Sequence, residues 1–388
     1  MRSPFAGHWR LDPDVTFLNH GSFGACPSVV LEEQARVRER LEREPVRFMI
    51  RELEGLLADA RGALAQLIGA QPDDLAFVPN ASSGVSTVLR SLALGPGDEL
   101  LTTDHVYGAC RNALAFAADS TGARLVVAPV PFPLESSEEV VSAVLARVTE
   151  RTRLLLIDHV TSPTAVVFPV ARLVTELQKR GVDTLVDGAH APGMLPLDLG
   201  ALGAAYYTAN CHKWLCAPKG SAFLHVRRDR QSRVRPLTIS HGAASARQDV
   251  SRFRLEHDWT GTVDPSAYLA IPRAIRFLEQ LMPGGLPALR AHNHELVLHA
   301  RAVLCRALAV APPAPTALLG SMVTLPLPPG PGPEDPSRLE PLQDQLFYEH
   351  GIEVPVFRFG SEDRRWLRVT AQAYNTAADY DRLAAALS

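Results

Sequence analysis

Two stretches of the chain carry an acid and an amine in places where buried chemistry is expected. Residues 185–193 read Leu-Val-Asp-Gly-Ala-His-Ala-Pro-Gly, and residues 206–214 read Tyr-Tyr-Thr-Ala-Asn-Cys-His-Lys-Trp. Asp187 ends one apolar run and Lys213 follows the next. A buried amine can condense with an aldehyde, and a buried carboxylate can keep an aromatic ring nitrogen protonated. The pair suits pyridoxal 5'-phosphate, with Lys213 forming the Schiff base and Asp187 holding the pyridine nitrogen. The chain has 39 Lys+Arg, yet its only lysines are Lys179, Lys213 and Lys219. Lys179 ends an amphipathic helical pattern and Lys219 falls in a turn, so Lys213 alone follows a buried strand.

Further polar residues fall at the ends of apolar runs. Ser82, Ser83 and Gly84 mark a strand-to-helix junction, suited either to a phosphate or to a simple helix cap. His105, in Thr-Thr-Asp-His-Val-Tyr-Gly, can stack on a pyridine ring or serve as a hydrogen-bonded structural group. His190 can reach a phenolic oxygen. Asn210 and His212 flank the lysine and can face a phosphate. Thr260-Gly261-Thr262 offers a hydroxyl and backbone N–H groups, or is a plain turn. Arg368 alternates with apolar neighbours along a strand, where its guanidinium can grip a carboxylate with two hydrogen bonds or form a surface ion pair.

Alternating elements must position these groups. Short apolar runs at Leu75–Val78, Glu99–Thr102, Arg124–Ala128, Leu154–Asp158, Val182–Val186, Ala205–Thr208 and Ala222–Val226 alternate with helical patterns. That order predicts an α/β, doubly wound, mainly parallel sheet whose ligands lie beyond the carboxyl ends of its strands. After Asp264 the texture changes to two longer helical patterns, Pro265–Leu281 and Pro287–Val310, then strand candidates without strict alternation. The expected division is therefore a large domain at 1–264 and a smaller α+β domain at 265–388. The stretch Pro326–Pro336 reads as a loop.

The totals restrict the classes of function. A formal charge of -3 and a pI near 6.5 give no reason to expect nucleic acid or an anionic membrane as partner. No apolar run is long enough to span a bilayer, and the first residues lack the apolar core of a signal peptide. Five cysteines without a CxxC spacing fit free thiols in a reducing cytoplasm.

Taken together, the motifs resemble the class V aminotransferase family of pyridoxal phosphate fold-type I, and within it the isopenicillin N epimerase-like branch. They run from Leu-Asn-His-Gly-Ser-Phe-Gly at 18–24 and Asp-His-Val-Tyr-Gly at 104–108 through His-Val-Thr-Ser-Pro-Thr at 159–164. They continue with Val-Asp-Gly-Ala-His-Ala-Pro-Gly at 186–193, Asn-Cys-His-Lys-Trp at 210–214 and Leu-Arg-Val-Thr-Ala-Gln at 367–372. The resemblance implies that Lys213 carries the cofactor, Asp187 binds the pyridine nitrogen, His105 stacks and His190 neighbours the phenolic oxygen. It places Ser82, Ser83 and His212 at the phosphate, and Gly261 and Thr262 where a neighbouring subunit's phosphate is reached, so a homodimer with shared sites is implied. Arg368 matches the arginine for a substrate α-carboxylate, and Asn19 and His20 fall in the N-terminal segment 1–24 that the resemblance places along the substrate side. Where many relatives carry an asparagine motif, this chain has Thr161-Ser162-Pro163, placing Ser162 near the cofactor and disfavouring a cysteine desulfurase. The implied reaction is epimerisation at Cα of an amino-acid or peptide-like substrate, with Tyr107, His20 or a group from the partner subunit as the second acid. β-Elimination by a C–S lyase, decarboxylating deamination, transamination and cofactor binding without catalysis are the alternatives.

Overall fold

The computed structural model describes residues 2–332, 339–360 and 364–388. Twelve strands occur among them: β1 (Thr16–Phe17), β2 (Leu75–Val78), β3 (Glu99–Thr103), β4 (Arg124–Ala128), β5 (Thr152–Asp158), β6 (Asp183–Asp187), β7 (Tyr206–Asn210), β8 (Ala222–Val226), β9 (Met322–Pro326), β10 (Ile352–Glu353), β11 (Val356–Phe359) and β12 (Arg364–Thr370). Seven form one sheet in the order β2-β8-β7-β6-β5-β3-β4, parallel except where β8 runs against β7 and β2. Period-two alternation sends Leu155 and Ile157 of β5 into one apolar core and Leu154 and Leu156 into the other. Helices therefore cover both faces, as the apolar runs predict.

The helices are set by their ends as much as by their stripes. Leu53–Ile68 buries Leu53, Leu57, Ala60 and Leu64 and stops at Gly69 in the left-handed region. Ala81–Ser91 starts where the Asn80 side chain accepts the Ser83 amide at 2.9 Å. The single helical pattern read over 265–281 is instead two helices, Ser266–Leu269 and Ile271–Gln280. Pro272 is in the first turn of the second, where its missing N–H costs least.

The smaller sheet, β11-β12-β9, is antiparallel and packs with helices Gly285–Ala307 and Ala377–Leu387. The N-terminal residues attach beside it: β1 pairs in parallel with β10 as a separate two-stranded sheet, the Thr370 amide donates to Leu18, and the Ser3 hydroxyl donates to Ala373. Residues 3–24 are thus stitched to the C-terminal elements rather than to the large sheet that follows them in sequence. The loop reading at 326–336 falls in part on residues 333–338, outside the described residues. No helix among the described residues is long and apolar enough to cross a membrane.

Gly24 locks this N-terminal segment onto the turn after β7. Its φ is 68°, and a Cβ there would lie 2.2 Å from the His212 carbonyl oxygen and 2.9 Å from Lys213 Cα. Gly24→Ala is expected to cost on the order of 3 kcal/mol, seen as a lower denaturation midpoint with unchanged m-value. An unchanged midpoint would mean that the segment does not rest on that turn.

Candidate active site

Strands β5, β6 and β7 end side by side, and their last residues carry the charge. Asp158 and Asp187 are register partners, and the turn beyond Asn210 brings Lys213 back towards them. The Lys213 side chain is half-buried, with Nζ 3.1 Å from His190 Nε2. The Trp214 indole N–H donates to the other ring nitrogen of His190 at 3.2 Å. Asp187 accepts the Ala189 amide at 2.9 Å on one oxygen and the Cys110 thiol at 3.2 Å on the other.

Burial dominates the electrostatics. It brings Lys213 down to about 7, with Arg368 pushing the same way and Asp187 and Asp158 opposing. Burial raises Asp187, against the Ala189 and Cys110 hydrogen bonds and Lys213. Asp158 is pushed well above the carboxylate range, by burial first and the neighbouring Asp187 next, so this pair does not hold two charges together. His190 is depressed far below the usual imidazole range by burial and by Lys213, Arg368 and His20. The site thus favours a neutral imidazole and a readily deprotonated amine.

The lysine turn is gripped from below. His20 Nδ1 is 2.8 Å from the Tyr374 hydroxyl and Nε2 is 3.1 Å from the Lys213 carbonyl oxygen. The ring has no exposed surface, and burial lowers its pKa to about 3. His20 therefore does not line the substrate side: it holds the backbone of Lys213. Asn19 is also corrected, since its amide donates to Glu353 at 2.9 Å and its carbonyl oxygen accepts the Ser22 hydroxyl at 2.5 Å.

Arg368 enters the site from β12. One end of its guanidinium donates to the Ser162 carbonyl oxygen at 2.7 Å and the Ser162 hydroxyl at 3.0 Å; the other end donates to the Ser22 hydroxyl at 3.0 Å. Ser162, expected at the cofactor, instead positions this arginine through two oxygens. No carboxylate pairs with Arg368 among the described residues, and burial lowers it to about 10. Its Nε is buried without a partner.

The start of helix Ala81–Ser91 faces the same edge. Asn210 takes the Ala81 amide at 2.8 Å and Asn80 takes that of Ser83, which leaves the Ser82 amide between them. Asn210 thus ties the helix to β7 instead of extending towards a ligand. Gly84 lets the helix approach: a Cβ there would lie 2.0 Å from Thr208 Oγ1. His212 Nδ1 donates to the Ser221 carbonyl oxygen at 2.9 Å, so its other nitrogen is the one turned away from the backbone. Gly261 lines a cavity of about 360 Å³ with Ser83, Thr260 and Gly220, while Thr262 does not contribute to its wall.

His105 does not present a free face. It is fully buried, with Nδ1 2.7 Å from the Thr164 hydroxyl, Nε2 3.1 Å from the Val130 carbonyl oxygen, and Phe132, Phe168 and Phe359 around the ring. The stacking reading is corrected accordingly: both nitrogens and all surfaces of this imidazole are taken. Two residues later Tyr107 is 45% exposed. Asp158, Cys110, Ser22 and Trp214 were not singled out as site residues. Asp158 had a signal, as the last residue of a buried strand adjacent to β6; Cys110 and Ser22 had none, because only the tertiary fold brings them in.

Comparison with known proteins gives the family. Residues 28–325 match the family model described as aminotransferase class-V. The chain is 38% identical to an isopenicillin N epimerase of Amycolatopsis lactamdurans, over 97% of this chain and 95% of that one. It is 31% identical to a putative L-cysteine desulfhydrase of Oryza sativa subsp. japonica, over 99% of this chain and 84% of the relative. Among solved structures, a complex between the cystine C–S lyase C-DES and cysteine persulfide superposes with a TM-score of 0.79 at 22% identity, covering 97% of both chains. The chain belongs to the class V aminotransferase family, the pyridoxal phosphate-dependent enzymes of fold-type I, and resembles its isopenicillin N epimerase-like branch.

Proposed function

We propose that this enzyme epimerises an amino-acid or peptide-like substrate at Cα, with Lys213 as the amine that carries the cofactor. When bound, pyridoxal phosphate supplies an electron sink for the pair left behind when a bond to Cα breaks. The residues present fit that group. Asp187 is a buried carboxyl with a free lone pair, suited to a ring N–H; the Ser82 amide and hydroxyl open the phosphate end at a helix N-terminus; His190 stands beside Lys213 for the phenolic oxygen. Ser83 and His212 lie at the same end, with Asn210 in support.

The observation that carries the reading is Lys213 held 3.1 Å from His190 while Arg368 stands buried without a carboxylate among the described residues. An α-carboxylate would complete Arg368, and the serine contacts from Ser22 and Ser162 fix the fork that receives it. The Lys213 amine would take or return the Cα proton on its own side. Epimerisation needs an acid on the other side, and Tyr107 is the exposed hydroxyl of this chain near Arg368. His20 is unsuited because both its nitrogens are engaged within the fold.

A second reading is β-elimination at a cysteine-like substrate, favoured by the desulfhydrase relatives that span nearly the whole chain. It needs Lys213 alone as base. We further propose a homodimer: Leu237 and Val263, 47% and 54% exposed, rim the apolar cavity that contains Gly261. A second copy would cover that rim and bring Gly261 and Thr262 towards its phosphate.

Incubation with candidate amino acids in deuterated water is expected to give Cα exchange and inversion without pyruvate, and Lys213→Ala should lower exchange by at least about 10³-fold. Pyruvate release without inversion would establish the lyase reading instead. Because burial brings Lys213 down to about 7, the neutral amine fills in as pH rises through that value. The rate of cofactor capture by the cofactor-free chain is therefore expected to rise from pH about 6 and level off by about 8. A rate still climbing at pH about 10 would mean an ordinary lysine. Sedimentation is expected to give twice the chain mass of 42.1 kDa; a monomer at micromolar concentration would remove the shared-site proposal.

A further inference from the structure

We infer that Trp214 is a positioning residue that fixes the tautomer of His190, making this histidine a donor and the Lys213 nitrogen its acceptor. An indole nitrogen can only donate, so the Trp214 N–H at 3.2 Å requires a lone pair on His190 Nδ1. A neutral imidazole with that lone pair carries its proton on Nε2. The partner of Nε2 is Lys213 Nζ, 3.1 Å away. A proton on Nε2 can be accepted only by the lone pair of an uncharged amine, since an ammonium has none. One indole thus sets which of the two nitrogens bears the proton, and through it the charge state of the lysine.

The surroundings leave no easy escape. A doubly protonated His190 would face Lys213, Arg368 and His20, and its ring has 2% of its surface exposed. The opposite tautomer would set two N–H groups against each other at Nδ1. Trp214 itself is held by Val160, Ala165, Met194 and Met322, with His20 tilted against it at 4.9 Å between ring centroids. Arg368 drives Lys213 towards the neutral amine, while Asp187, Asp158 and Cys110 act the other way. The carboxyl groups favour the ammonium, and the donor from His190 opposes them. The same Nε2–H remains available to the phenolic oxygen when the lysine nitrogen is engaged, so a single tautomer serves both partners.

The inference about reactivity rests on Lys213 being the condensing amine, whereas the tautomer of His190 stands apart from that reading. Nitrogen-15 spectra of the full-length, cofactor-free chain, labelled in histidine and in the lysine Nζ, report both. Only three lysines need assignment. His190 is expected to carry its proton on Nε2, and a proton on Nδ1 would overturn the proposal. Trp214→Phe removes the donor, and site-specific 3-benzothienylalanine at 214 replaces N–H by sulfur while keeping the shape should the phenylalanine variant fail to fold. In either, His190 is free to accept from Lys213, and the lysine pKa is expected to rise by about one unit. At pH 7 that lowers the neutral amine from about half to about a tenth, slowing cofactor capture roughly fivefold, with the rate restored at higher pH. An unchanged lysine pKa in the isosteric variant would overturn the role of Trp214. A shifted pKa with cofactor attached at another lysine would retain it and refute the condensing role of Lys213.

Discussion

A lysine drawn largely out of water governs the rest of the site. An ammonium buried at Lys213 would have to be paired or surrender its proton, and the two strand-end carboxyls beside it do not supply full pairing. Asp158 and Asp187 share the burden of burial, so together they offer less than two negative charges. Arg368 adds a positive one. The amine is consequently poised near neutrality, where a nucleophilic nitrogen is useful.

The fold produces this poise by bringing distant segments to one sheet edge. Parallel register aligns Asp158 with Asp187, and the turn after β7 folds Lys213 back over them. The N-terminal segment then clamps that turn through Gly24 and His20, while β12 delivers Arg368 between Ser22 and Ser162. Three parts of the chain that are far apart in sequence therefore determine the position of one side chain. Substitutions in the clamp should act on the lysine without touching a ligand.

Much of this was legible in the sequence because the central strands are short, largely buried and bounded by turn residues. Asp187 and Lys213 could be placed since strand ends on the carboxyl edge are readable from apolar runs, and Arg368 from its alternation with apolar neighbours along β12. Roles that depend on side-chain direction were not. His20, Asn19 and His105 read as polar groups near a ligand, yet each spends its hydrogen bonds inside the fold, on Tyr374 and Lys213, on Glu353 and Ser22, and on Thr164 and Val130. Ser162 was placed in the right neighbourhood with the wrong partner. Cys110 donates to Asp187 from the helix Gly108–Thr121, a contact that no sequence spacing announces.

The central claim is that the buried amine of Lys213 is the one that holds the cofactor. Borohydride reduction of the loaded protein, followed by peptide mass mapping, fixes the attachment point directly. The pyridoxyl mass is expected on the peptide containing Lys213, with Lys179 and Lys219 unmodified. Modification at Lys179 or Lys219, with Lys213 recovered intact, would contradict the account.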